Sequence, residues 1–332
     1  MSALDPILAA ARARPAVVSL AEGEDPRIVE GAVRAARDGI ARPVLVGAAA
    51  PVRTRLDAMG GADVAVVDPV TDPRIPAYAD LFREIRKRSE MSDDEAREAV
   101  RDPLTFAALM VRAGDAEGTM AGAVATTAET VRTAFRIIGR AEGVETVSSF
   151  FLMLPEGDDH PLPGPVLFAD CGLVIDPSSE ELAQIALSSA GSLKALLDET
   201  ARIAFLSFST HGSARHERVN RVTEALGLAR EMRPDLLMDG ELQFDAAFVP
   251  EVAASKAPAS PLKGNANIFV FPSLESANIG YKIAQRIGRA RAIGPILQGL
   301  AAPANDLSRG CSAQDVYDLI AVTGAQAAGQ GG

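Results

Sequence analysis

Short apolar runs alternate with amphipathic stretches along most of the chain. Ala16 to Leu20 is the first run, and it ends in the acidic loop Glu22-Gly23-Glu24-Asp25. Asp25 followed by Pro26 supplies an N-cap and a first helical residue, and Ile28, Val29, Ala32 and Val33 give the ensuing helix one apolar face. Pro43 to Gly47 is a second run, so the opening reads as strand, helix, strand, the unit that builds parallel sheet. A strand near Ala62 to Val67 and a charged helix near Pro76 to Arg88 follow. Ser92 with Glu95 forms a capping box, and Asp102-Pro103 starts another helix. Gly118 to Val124 reads as a small-residue strand that delivers the chain to Ala125-Thr126-Thr127-Ala128. The helix after it carries Val131, Phe135 and Ile138 on one face and Arg132 and Arg136 on another.

Beyond Thr146 the run TVSSFFLML gives way to the Pro- and acid-rich loop Pro155 to Pro165, a candidate domain boundary. Strands are predicted at Val166 to Ala169, Ile203 to Ser207 and Asn267 to Phe271. Helices are predicted near Ser179 to Leu197, Ala214 to Glu231, Phe244 to Lys256 and Ser276 to Ile287. Asp239-Gly240-Glu241 reads as an Asp/Gly turn. Near the end, NDLSRGCSAQ from Asn305 reads as a polar loop. It leads into a helix with apolar positions at Val316, Leu319, Ile320 and Thr323, whose start is marked by the capping box Ser312 and Asp315. The Ala/Gly/Gln segment after Thr323 reads as frayed.

Composition narrows this picture. At 332 residues the chain is long enough for two α/β domains. An apolar content of 48% with few aromatics means cores of Ala, Val, Leu and Ile, as suits helices packed on parallel sheets. A net charge of −11 argues against nucleic-acid and membrane surfaces. Any anionic substrate must then be captured by a local basic site. Two cysteines make no disulfide framework, and no apolar run approaches membrane-spanning length. These features predict a soluble, cytoplasmic protein. The first strand-to-helix loop carries acids where a dinucleotide fingerprint needs glycines, which disfavours a nicotinamide site.

Two strand-to-helix junctions suit an anion. Ser308 and Arg309 stand just ahead of a helix start, where free N–H groups and the dipole favour negative charge. Thr126 and Thr127 occupy the equivalent place in the first half. Each residue also has a plainer reading: Asp315 as a cap, Ser308 as a turn hydroxyl, Arg309 as a surface charge, Cys311 and Cys171 as small buried hydrophobes. A thioester on Cys311 lacks a partnering base. The loop from Ser207 to Ser213 is either a phosphate cradle or an ordinary turn. His160, His211 and His216 show no metal-ligand spacing, and Asp239, Glu241 and Asp245 are explained more cheaply by turns and helix starts than by a metal.

Longer motifs then carry a resemblance. LSFSTHGSA from Leu206, DGELQFDAA from Asp239, KGNANIFVFPSLESANIGYKIAQR from Lys263 and GPILQGLAAPANDLSRGCS from Gly294 resemble the phosphotransacetylases, the phosphate acetyltransferase and butyryltransferase group. FADCGLVIDP and AGAVATTAETVR extend the similarity into the middle and first half. The resemblance implies reversible acetyl transfer between acetyl phosphate and coenzyme A, with coenzyme A as substrate and no permanently bound cofactor or metal. It also implies two three-layer α/β domains with an interdomain cleft, like the isocitrate and isopropylmalate dehydrogenases: residues 1–143 plus 296–332, and residues 144–295. A homodimer is expected. By the same resemblance Asp315 is the base for the coenzyme A thiol, Ser308 and Arg309 stabilise the transition state, and Arg132 and Arg86 bind coenzyme A or phosphate, with Thr126 and Thr127 touching phosphate. The family usually carries His at Ala125, Asp at Glu129, Pro at Thr133 and Gly at Ala277, which leaves acyl preference open. A short-chain acyltransferase such as phosphate butyryltransferase, and a non-catalytic acetyl-CoA sensor, are the competing expectations.

Overall fold

In the computed structural model of the chain, residues 4–61, 63–86, 91–157 and 159–330 are described. Ala62, Lys87, Arg88 and Asp158, which fall within predicted segments, lie outside them. The chain forms Asp5–Ala13 (α1), Ala16–Leu20 (β1), Pro26–Arg37 (α2), Ala41–Val46 (β2), Ala49–Met59 (α3), Ala65–Val67 (β3), Ile75–Ile85 (α4) and Asp93–Val100 (α5). Next come Pro103–Ala113 (α6), Gly118–Ala121 (β4), Thr127–Ile137 (α7), Ser148–Leu154 (β5), Val166–Ala169 (β6), Ser179–Leu197 (α8), Arg202–Leu206 (β7) and Glu217–Met232 (α9). Leu237–Leu242 (β8), Phe244–Phe248 (α10), Pro250–Lys256 (α11), Ile268–Val270 (β9), Leu274–Arg286 (α12), Arg291–Gln298 (β10), Ala304–Asp306 (β11) and Ala313–Gln330 (α13) complete it.

Contacts divide these elements into two units. One contains Gly143–Gly299, the other Asp5–Glu142 together with Leu300–Gly332. In the discontinuous unit a fully parallel sheet runs β11-β4-β1-β2-β3. Helices α1, α2 and α13 pack together, and α6 packs with α4, α5 and α7, so helix layers flank the sheet. Burial on both faces explains why its strands read as continuous apolar runs. The other unit has the order β10-β5-β6-β9-β7-β8, parallel except at β5, which runs antiparallel to both neighbours. The predicted α/β class holds for both units.

Four local expectations are overturned. Asp239-Gly240-Glu241 is no turn but the middle of β8. Its acids tolerate a strand because Asp239 meets Arg230 and His211, and Glu241 meets Ser209 and Gly212. Asn305 and Asp306 are strand rather than loop, and Phe244 to Lys256 is two short helices broken before Pro250, whose ring cannot continue the first. The segment after Thr323 continues α13 to Gln330 instead of fraying, since the helix packs against α1 and its late residues Ala325 and Ala327 are buried.

The α2–α13 contact carries the tail and the loop before it. Gly31 makes it possible, for a Cβ there would lie 2.5 Å from Val316 Cγ1 and 2.8 Å from Val316 Cβ, on a stiff β-branched side chain. Gly31→Leu is therefore expected to destabilise the fold by about 1–3 kcal/mol through overpacking, read as a lowered denaturant midpoint at constant slope.

Candidate active site

Strand β11 sets the position of everything that follows it. It pairs with β4, and the bond from Leu307 N–H to the Ala121 carbonyl (2.7 Å) extends that pairing by one residue. Behind it, Asn305 donates to Thr323 Oγ1 (2.9 Å) and Gln326 Oε1 (2.7 Å) of α13. The chain then turns tightly: Gly310 N–H donates to Ser308 Oγ (3.2 Å) and Cys311 N–H to the Ser308 carbonyl (2.9 Å). This turn leaves Ser308, Arg309 and Gly310 exposed. Helix α13 begins with the predicted capping box. Ser312 N–H and Oγ both donate to Asp315 Oδ2, at 2.7 and 2.8 Å, and Asp315 N–H returns a bond to Ser312 Oγ at 3.2 Å.

A second loop, residues 122–126, leads into α7. Gly122 has φ of 107°, a conformation L side chains rarely adopt, and a Cβ there would sit 2.3 Å from Asp306 Oδ1 and 2.4 Å from the Leu307 carbonyl. The N–H groups of Ala123, Val124 and Ala125 all donate to Glu22, at 2.7, 3.0 and 2.7 Å. Thr126 caps α7, and both its donors, N–H (2.9 Å) and hydroxyl (2.7 Å), go to Glu129 Oε2. These bonds hold the Glu129 carboxyl below the usual range, and the charges of Arg132 and Arg309 add to the effect. Thr126 and Thr127 thus open α7, Arg132 follows one turn on, and the charge of Arg309, from the turn after β11, acts on Glu129 in the first turn.

Arg27 joins the two loops. Its guanidinium holds Asp25 in a fork (2.9 and 2.8 Å) and donates to the carbonyls of Ala123 (2.8 Å), Arg309 (2.7 Å) and Cys311 (3.1 Å). The fork lowers the pKa of Asp25. Arg27 was not a predicted site residue, nor was Glu22. A sequence signal for the former exists, since Asp-Pro-Arg recurs at Asp72 to Arg74 with the same fork, Nε to Oδ1 at 2.8 Å and Nη2 to Oδ2 at 3.0 Å.

Two buried groups lie under the loop. Cys311 is buried, which raises its thiol pKa. Asp306 is fully buried; desolvation lifts its carboxyl to about 6, against the opposing influence of the Thr127 and Thr130 hydroxyls. The predicted Arg86 stands apart, at the end of α4, its guanidinium 5.9 Å from the centre of the Phe82 ring.

The other candidate loops are occupied from within. Glu241 takes Gly212 N–H and Ser209 Oγ, both at 2.7 Å, so the loop from Ser207 to Ser213 is filled by a carboxylate of the same unit. Asp245 pairs with Lys256 (2.7 Å) and Asp239 with Arg230 and His211. A cavity of about 590 Å³ opens in that unit at the ends of β7 and β9, between Phe208, Phe244, Arg218 and Arg221; Ser207 of the candidate cradle lines it, and none of the residues expected to bind or transfer the acyl group does.

A junction of exposed hydroxyl, guanidinium and carboxylate on a parallel α/β sheet defines a class of anion-handling enzyme, and the comparisons narrow it. Residues 2–324 match the family model described as Phosphate acetyl/butaryl transferase, and the chain belongs to that family. It is 50% identical to the phosphate acetyltransferase of Paracoccus denitrificans, over 98% of this chain and 99% of that one. A solved phosphotransacetylase from Streptococcus pyogenes superposes with a TM-score of 0.91 at 43% identity, covering 98% of each chain. The 4-hydroxythreonine-4-phosphate dehydrogenase of Klebsiella pneumoniae shares the fold alone, at a TM-score of 0.54 and 13% identity over 95% of this chain and 99% of that one.

Because Arg27 is the common donor to three loop carbonyls, Arg27→Ala is expected to destabilise the fold by roughly 1–3 kcal/mol. Hydrogen exchange should speed up at Ala123 to Ala125 and Cys311 while the sheet amides stay protected.

Proposed function

We propose that this chain is a phosphate acetyltransferase that moves an acetyl group reversibly between acetyl phosphate and coenzyme A in a ternary complex. The observation that carries the reading is the Ser308, Arg309 and Asp315 constellation, present on one strand-to-helix junction in a member of this family. The sulfur of coenzyme A attacks the acetyl carbon as Asp315 takes the thiol proton. Ser308 and Arg309 donate to the resulting oxyanion. Its collapse breaks the carbon–oxygen bond to phosphate, which leaves with the electron pair, neutralised by Arg309 and Arg132. Thr127 is the phosphate hydroxyl contact, since the donors of Thr126 are engaged by Glu129. Arg86 serves the outer part of coenzyme A.

Capping and base roles coexist at Asp315. Both Ser312 bonds fall on Oδ2, and among the described residues no donor is assigned to Oδ1, which is the oxygen to receive the thiol proton. The buried, proton-retaining thiol of Cys311 supports direct transfer over an acyl-cysteine intermediate. The chain acts in the cytoplasm on small molecules and needs no permanently bound cofactor. Among the described residues no helix is long and apolar enough to cross a membrane.

A homodimer is the proposed assembly. Ile279 and Ile283 of α12 and Ile287 just past its end are 59%, 53% and 78% exposed and recur at helical spacing, the kind of stripe a second copy covers.

Thioester formation, followed by ultraviolet absorbance with acetyl, propionyl and butyryl phosphate, tests the reaction. Acetyl phosphate should be turned over fastest. Asp315→Asn, which preserves the cap, should lower kcat by about 10²–10⁴-fold with folding intact, while Cys311→Ala stays active. No turnover with any acyl phosphate would favour a sensor. Ile283→Glu is expected to sediment as a monomer; an unchanged mass would remove α12 from the interface.

A further inference from the structure

Several carboxylates near the ends of sheet strands have backbone N–H partners. Glu22 has those of Ala123, Val124 and Ala125; Asp170 has those of Gly172, Leu173 and Val174; Glu241 has that of Gly212. Asp306 differs. It is fully buried at the end of β11, yet among the described residues no donor reaches either of its oxygens in hydrogen-bond geometry. The Thr130 hydroxyl of α7 is also buried and unpartnered. Successive strand residues face opposite sides, so Asn305 bonds α13 while Asp306 turns towards the Thr127 and Thr130 hydroxyls of α7. From the loop after β1, the charged group acting on it is Glu22, a like charge. A buried carboxylate without N–H donors and beside another carboxylate is a liability to the fold. Asn would fill the same space without the charge.

We propose that Asp306 is a positioning residue for acyl transfer: its buried carboxyl, set between Gly122 and α7, fixes the spacing between the Ser308–Arg309 turn and the first turn of α7. The inference rests on the reading of that junction as the transfer site. One residue, Leu307, separates Asp306 from Ser308, and the Asp306 Oδ1 closes on Gly122, the pivot of the facing loop. A displacement here moves both sets of anion contacts at once.

The sign of the pH dependence follows from the burial. The folded chain retains the Asp306 proton up to about pH 6, the unfolded chain only to 3.8. Stability from this group is full below about pH 4 and is lost as pH rises through about 6.

Asp306→Asn tests the assignment. The expected result is a fall in kcat on the order of ten- to a hundredfold, with a Tm that matches wild type near pH 4 and exceeds it increasingly towards pH 7. The acid limb of the wild-type kcat profile near pH 6 should disappear. Thr130→Val removes a hydroxyl that lowers the carboxyl pKa, so it should move that limb to higher pH with a smaller loss of rate. An Asp306→Asn protein with wild-type kcat at every pH, or a Tm difference that does not change with pH, overturns the proposal. Should that variant not fold, a Thr130→Val protein with an unmoved limb overturns it equally. Loss of all turnover in the wild-type chain would instead sink the acyl-transfer reading.

Discussion

The junction depends on one guanidinium. Loop carbonyls that point inward at a strand end need donors, and the backbone has none to spare where three chain segments meet. Arg27 supplies them to Ala123, Arg309 and Cys311 from a side chain already locked by Asp25. A fixed fork loses little freedom on binding, so this arrangement suits Arg and would not suit the single charge of Lys. Because the bond to Arg309 is to its backbone carbonyl, the Arg309 side chain remains exposed and available to a substrate. The clamp orders the loop without using its chemistry.

Charge is handled locally in the same way. A chain of net charge −11 that binds phosphate-bearing substrates works against its own field. Several of its carboxylates are turned inward, however, and their charge is held by the backbone: Glu22 by three N–H groups, Glu241 by Gly212 with Ser209, and Asp170 by residues 172–174. These bonds fill the strand-end nests that would otherwise collect anions unselectively. The turn at Ser308 and Arg309 is not filled in this way. On the proposed reading of the Ser308–Arg309 turn, selectivity for one anion site comes partly from occupying the others.

Much of this was legible in the sequence, and the omissions share a cause. Apolar runs and caps located the strand and helix alternation, and the boxes at Ser92 and Ser312 formed as their local patterns require. Strand β8 was hidden because Asp239 and Glu241 are satisfied by partners on α9 and in the loop after β7. Only the folded sheet brings these near. Arg27 and Glu22 were missed for the same reason, since their partners lie 282 and 101 positions away. Asp306 gave no positional signal at all. Its burial without hydrogen-bond partners among the described residues emerges only in the folded sheet, which local pattern does not encode.

The departure at Glu129 completes this logic. A Glu at the third helical position is the residue that closes a capping box with Thr126, and its carboxylate takes both Thr126 donors while standing in the field of Arg132 and Arg309. It therefore occupies, from within the chain, the electrostatic place a phosphate would prefer. An arriving phosphate must either share the arginines with Glu129 or displace it from the cap. Sharing leaves α7 capped and confines the new contacts to Thr127 and the guanidinium groups; displacement frees Thr126 but leaves the helix start less well capped until the anion takes over. Arg309 reaches Glu129 from a separately clamped loop, so sharing requires less rearrangement. If the proposed site binds phosphate here, the capping carboxylate tunes how tightly it is held, and weak retention of phosphate is what a reversible transferase needs in order to release it.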